Sequence, residues 1–67
     1  MTLEESHESA RLSSAAPLGE FGSPRWAVLS SPHYGSYTVV AEPGIKGHLA
    51  RGYALVAVYD RGERVQG

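Results

Sequence analysis

The segment that most constrains the fold of this chain is residues 53–59, Tyr-Ala-Leu-Val-Ala-Val-Tyr, which carries no charge. Successive residues of a strand point to opposite faces, and here both sets are apolar. A strand at this position is therefore expected to be covered on both faces. A chain of 67 residues offers little other material to cover them. The sequence thus predicts a small β-module that is completed by self-association or by a larger partner.

Length and composition support the same expectation. Chains of this size hold cores that supply only about 3–5 kcal/mol, so they commonly depend on disulfides, a metal or oligomerisation. The absence of cysteine excludes disulfides and thiolate metal sites. Its absence is also typical of a reducing compartment. No segment approaches the about 20 apolar residues of a membrane span. We therefore expect a cytoplasmic location, or a place in an assembly built in the cytosol.

Residues 1–24 are predicted to form a flexible N-terminal arm. They are rich in Ser, Glu, Ala, Gly and Pro, and their few large apolar side chains are far apart. Such a segment buries too little apolar area to offset its chain entropy, which favours disorder. Thr2 and Glu5 have the spacing of a capping box, so a frayed helix as far as Leu12 is the alternative. Leu18 and Phe21 are the expected anchors if the arm docks.

Residues 25–67 are predicted to form one small β-module. Strands are expected at residues 25–30, 37–41, 53–59 and 64–66, separated by turns at 32–36, 42–44 and 60–63. Residues 45–52 are ambiguous because two glycines argue against a full helix, although a single turn ending at Gly52 is compatible with them. The expected fold is mainly β: a three- to four-stranded antiparallel sheet or a partly open barrel.

No motif in the sequence indicates catalysis, a cofactor or a metal. The serines near His33 lack the Gly-x-Ser-x-Gly elbow of a hydrolase. Gly44 and Gly47 lack the lysine and the spacing of a phosphate-binding loop. Glu4 and His7 have the spacing of a helical metal pair, but two ligands do not make a site. We therefore expect a non-enzymatic protein without a cofactor.

Protein–protein interaction, by an accessory subunit or a homo-oligomer, is the function that the sequence favours. Large aromatic side chains dominate binding hot spots, and the apolar strand needs cover. The candidate partner-binding residues are Trp26, Tyr34, Tyr53, Val56 and Val58.

The alternative is a small nucleic-acid-binding or regulatory β-barrel protein. Positive side chains interleaved with aromatics on a small barrel can bind phosphates and stack bases. The candidate nucleic-acid-binding residues are Lys46, His48, Arg51, Arg61 and Arg64.

Overall fold

A computed structural model describes residues 1–17, 24–33 and 35–67. The elements run in the order α1 (Leu3–Ala15), β1 (Arg25–Ser30), β2 (Tyr37–Ala41), α2 (Glu42–Ala50), β3 (Ala54–Asp60) and β4 (Glu63–Gln66). The four strands form one antiparallel sheet in the order β2-β1-β3-β4, which does not close. The prediction of a small antiparallel sheet is confirmed. The class is mixed α and β rather than mainly β, because both helices are well formed.

Two tight connections set the strand order. β1 and β2 are joined through a turn in which Gly35 has φ 61°, a left-handed value that suits glycine. β3 and β4 are joined by Arg61 and Gly62, with φ 55° and 85°. Positive φ at both central residues is the type I′ geometry, whose twist matches that of the flanking strands. Both hairpins lie where the turn residues predict them.

The sheet has two buried faces. The first face carries Trp26, Val28, Ala41, Ala57 and Tyr59, which form a cluster with Ala10 of α1. The second face carries Ala27, Leu29 and Val58, of which the first two are fully buried. Within β3 the chain buries Ala57, Val58 and Tyr59, whereas Leu55 and Val56 are half-buried and Ala54 is exposed.

A β-bulge alters which face Val56 occupies. In the pairing of β1 with β3, Val28 lies opposite Ala57 but Leu29 lies opposite Leu55, so Val56 is an extra residue. Val56 packs against the first-face cluster beside Ala57, whereas Val58 lies opposite Ala27 on the second face. The alternation expected from the sequence places Val56 and Val58 on one face. The structure places them on opposite faces, because strict alternation does not continue through a bulge.

The prediction of a disordered or frayed N-terminal arm is wrong for residues 3–15. These residues form the ordered helix α1, Leu3–Ala15. Its capping box is present: the Glu5 N–H donates to the Thr2 hydroxyl at 3.1 Å, and the Thr2 N–H donates to the Glu5 carboxylate at 3.0 Å. The helix contacts each of the four strands. Tertiary packing supplies the support that a short isolated helix lacks. The proposed anchors Leu18 and Phe21 lie outside the described residues.

Small residues, rather than leucines, form the packing face of α1. Ser6, Ala10 and Ser14 are buried against the sheet, whereas Leu3 and Leu12 are 41% and 57% exposed. Each buried serine hydroxyl donates to a carbonyl one turn earlier, Ser6 at 2.7 Å and Ser14 at 3.0 Å. The burial of these hydroxyls therefore leaves no unmade hydrogen bond.

Two polar contacts fix the position of α1 on the sheet. The Gly62 N–H donates to the Ser14 hydroxyl at 2.9 Å, which ties the end of the helix to the β3–β4 turn. His7 Nδ1 lies 2.7 Å from the Tyr59 hydroxyl. These contacts join residues about fifty positions apart in the chain, so no local sequence pattern signals them.

The segment between β2 and β3 forms α2. Pro43 lies in its first turn, where the missing N–H has no helical partner to lose. At its end the Gly52 N–H donates to Leu49 O at 3.1 Å and the Tyr53 N–H donates to His48 O at 3.2 Å, with Gly52 at φ 95°. This is a Schellman motif. The prediction of a turn at residues 42–44 is wrong, whereas the role of Gly52 as a helix stop is confirmed.

We predict that Ala10→Leu destabilises the fold by about 1–3 kcal/mol, because a larger side chain forces α1 away from the first face. Leu12→Ala is the matched control on the exposed side of α1, and it should change the free energy of unfolding by less than about 0.5 kcal/mol. Urea unfolding of both variants measures the difference. Equal stabilities would show that α1 is not packed as described.

Acid should weaken the start of α1. The hydrogen bonds from Thr2 lower the pKa of Glu5 below its ordinary value. Stability from this carboxylate is therefore fully present above the unfolded pKa, about 4.3, and is lost as pH falls through the lowered folded pKa. Circular dichroism of wild type against Glu5→Gln, which keeps the acceptor but does not titrate, measures this. A similar loss of helicity in both proteins would contradict the assignment.

Candidate interaction site at the β2 edge

The two edges of the sheet differ in their protection against pairing. β4 is exposed along its whole length, carries Glu63 and Arg64, and contains a bulge at Val65. Charges and bulges of this kind block the addition of another strand. β2 reads Tyr-Thr-Val-Val-Ala and has no charge, proline or register shift in its pairing with β1. Among the described residues, no strand pairs with its outer side.

The outward backbone groups of β2 follow from the hydrogen-bond alternation of an antiparallel pair. The Ser31 N–H donates to Ser36 O at 2.8 Å, so this pair and every second pair after it are hydrogen-bonded between β1 and β2. Thr38 and Val40 therefore bond to β1. The N–H and C=O groups of Tyr37 and Val39 point away from the sheet.

The opposite side of β1 confirms this alternation. The Arg61 N–H donates to Pro24 O at 3.2 Å, which makes Trp26 and Val28 the residues bonded to β3. These residues lie opposite Ala41 and Val39 of β2 in the non-bonded pairs. Val39 thus sits at the centre of the edge with both backbone groups available.

An apolar groove adjoins the end of this edge. It has a volume of about 470 Å³ and lies where β2 passes into α2. Its walls come from both elements and from the neighbouring strand: Trp26, Val39, Val40, Ala41, Pro43, Gly44 and His48. Gly44 deepens it, because a side chain at this position would project towards Val40 and His48.

His48 is the polar side chain in the wall of the groove. Its Nδ1 lies 2.8 Å from the carbonyl oxygen of Gly44, and its ring meets Tyr53 edge to face at a centroid distance of 5.0 Å. A carbonyl oxygen only accepts, so Nδ1 carries the proton of this hydrogen bond. In the neutral imidazole Nε2 is then a hydrogen-bond acceptor. The groove therefore combines an apolar wall with one imidazole ring held in place by Gly44 and Tyr53.

The structure separates the candidate partner-binding residues. Trp26 lines the groove although it is 6% exposed, and Tyr53 is half-buried against His48. Val56 packs against the first-face cluster, and Val58 is buried on the second face. Tyr34 lies outside the described residues. The edge residues Tyr37 and Val39 were missed, although an uncharged strand without proline was a visible signal.

The candidate nucleic-acid-binding residues fall into two groups. Lys46, His48 and Arg51 belong to α2 and its end, before β3, whereas Arg61 and Arg64 belong to the hairpin after β3. Helix α2 begins beside Ala41, which pairs with Trp26 opposite Tyr59, so its first turn lies at the hairpin end of the sheet. Arg61 also lies 3.8 Å from the Asp60 carboxylate. His48 also contacts the ring of Tyr53, one of the candidate partner-binding residues.

A second depression lies between α1 and β4, around the His7–Tyr59 contact. It is lined by Glu4, His7, Glu8, Arg11, Tyr59 and Arg64. Arg11 pairs with Glu8, and Arg64 donates to the carbonyl of Gly67. Its two carboxylates and two guanidinium groups balance in formal charge.

Within residues 1–17, 24–33 and 35–67, no cluster of three or more His, Asp or Glu side chains is placed to hold a metal ion. Neither described helix has the length and apolar character needed to cross a membrane. No protein-family model matches the chain, and no curated protein or solved structure is significantly similar to it. A function can therefore be inferred only from the residues and geometry of the chain itself.

Hydrogen exchange tests the alternation along β2. In dilute, monomeric protein we predict that the Val39 amide exchanges much faster than those of Thr38 and Val40, because it points away from β1. Exchange followed by NMR, with the mass checked by light scattering, measures this. Equal protection of Val39 and Val40 in the monomer would show that another part of the chain already pairs with the edge.

Proposed function

We propose that this protein is a non-enzymatic protein-interaction module whose β2 edge receives an extended strand of a protein partner. The observation that carries the proposal is the contrast between the two edges. β4 has charges and a bulge, whereas β2 is uncharged and presents the backbone groups of Tyr37 and Val39. An edge of this kind is a template for strand addition.

Strand addition assigns separate roles to the backbone and the groove. Main-chain hydrogen bonds to Tyr37 and Val39 supply affinity without regard to sequence. The 470 Å³ groove supplies specificity by accepting an apolar side chain of the added strand. The preferred partner is an extended, uncharged segment with alternating apolar residues.

Nucleic-acid binding ranks second. Single-strand binding uses a continuous positive path with stacking aromatics. Here Arg61 lies beside the Asp60 carboxylate, Arg64 donates to the carbonyl of Gly67, and Tyr53 is half-buried against His48. These positions favour solvated surface charges over a binding track.

Selection from a displayed library of random ten-residue peptides tests the proposal. We predict micromolar binders with apolar residues at alternating positions and no proline at their centre. Their binding should protect the Val39 amide from exchange. A synthetic protein methylated at the Val39 backbone nitrogen should lose that binding, because the outward donor is gone. The unmodified synthetic protein is the control.

Two outcomes would contradict the proposal. Binders that leave the Val39 amide unprotected and tolerate its methylation would place recognition elsewhere. Micromolar binding of single-stranded DNA or RNA at about 50 mM salt, lost at about 200 mM, would favour the nucleic-acid alternative. In that case Lys46→Glu or Arg64→Glu should weaken binding across sequences.

A further inference from the structure

We infer that the strand received by the β2 edge is β2 of a second copy of this chain, related to the first by a two-fold axis at Val39. The inference rests on the proposed function, because it names the occupant of the same edge. Three features of β2 support it. Its outward backbone groups can pair with those of a second β2, its side chains fit beside one another in that pairing, and its end adjoins the groove.

The backbone of β2 matches itself in one full-length register. All five residues overlap when Val39 lies opposite Val39 of the second copy, so that Tyr37 lies opposite Ala41. Val39 of each copy then donates to and accepts from Val39 of the other. The Ala41 N–H donates to the Tyr37 carbonyl, while the Ala41 carbonyl remains with α2 as the N-cap. The outward groups deduced from the β1–β2 pairing are the ones this register uses.

The side chains are complementary in the same register. On the first face, the large Tyr37 of one copy comes beside the small Ala41 of the other. On the other face, Thr38 comes beside Val40, which lines the groove next to Gly44. Thr38 and Val40 are both β-branched residues that suit cross-strand pairs. β2 contains no charged residue, so like charges do not meet. The two-fold axis makes each contact twice, as a closed dimer requires.

The extent of the contact indicates a transient dimer. Stable interfaces bury about 1,200–2,000 Å² in total. A pair of five-residue strands with one groove at each end is a smaller contact than these. We therefore expect a dissociation constant on the order of tens of micromolar. Since the contact is apolar and backbone-mediated, it should persist in moderate salt.

Two glycines of α2 provide a matched pair of variants. A Cβ atom at Gly44 would lie 3.7 Å from Val40 Cβ, an ordinary contact, so the monomer accepts a side chain there. Gly44 lines the groove, whereas a Cβ at Gly47 meets nothing within 4 Å and Gly47 is not a groove residue. Gly44→Gln and Gly47→Gln therefore make the same change in helix propensity, and the former also narrows the groove.

Sedimentation equilibrium from about 5 µM to about 1 mM tests the inference, since this range brackets the expected constant. Wild type and Gly47→Gln should reach twice the monomer mass, with Val39 amide exchange slowing in parallel. Gly44→Gln should weaken association at least tenfold while its melting temperature stays at or above that of wild type.

Two results would overturn the inference. The first is a wild-type protein that remains monomeric throughout the range. The second is a dimer that Gly44→Gln does not weaken and in which Val39 exchange does not slow. Neither result decides the proposed function. A monomer whose Val39 amide is protected by selected peptides keeps an edge-binding module with a different partner. A protein that fails both tests loses both assignments.

Discussion

The close contact between α1 and the first face of the sheet is the interaction on which the rest of the structure depends. Ala10 is fully buried within the cluster that holds Trp26, Ala57 and Tyr59. Because Ser6, Ala10 and Ser14 are small, the helix backbone can approach the strands closely and exclude water from this face. The hydrogen bonds at Tyr59 and Gly62 fix where the helix lies on the sheet. Without this helix, the aromatic side chains of a very small core would face water.

Because the centre of the sheet is buried, its unpaired backbone groups lie at the two edge strands, β2 and β4. An edge strand has unpaired N–H and C=O groups that can bind a strand of another chain. The two edges of this sheet differ in their protection against such pairing. β4 combines exposed charges with a bulge. β2 has neither, and the turn into α2 places an apolar groove at its end. The proposed pairing site lies where the chain changes from strand to helix.

Part of this fold could be predicted from the sequence because the signals are local. The type I′ turn at Arg61 and Gly62, the capping box at Thr2 and Glu5 and the helix stop at Gly52 depend on neighbouring residues. The strand positions follow from β-branched and aromatic runs bounded by turns.

The rest depends on contacts between distant residues. Helix α1 lacks an apolar stripe and is held by Tyr59 and Gly62 from the far end of the chain. The bulge at Val56 depends on the register with β1, so alternation alone assigned the residue to the wrong face. The groove at His48 and Gly44 appears only once α2 is formed beside β2, which explains why the sequence pointed to single aromatics instead of the edge.

The account is tested most directly by an isotope-filtered NOE measurement on a concentrated mixture of labelled and unlabelled copies. In the proposed pairing, Thr38 of one copy and Val40 of the other form a non-hydrogen-bonded pair, whose Cα atoms approach to about 4.5 Å. The account predicts an intermolecular cross-peak between the α-protons of these two residues. Cross-peaks that instead connect β4 or the helices, or no intermolecular cross-peak at millimolar concentration, would contradict it.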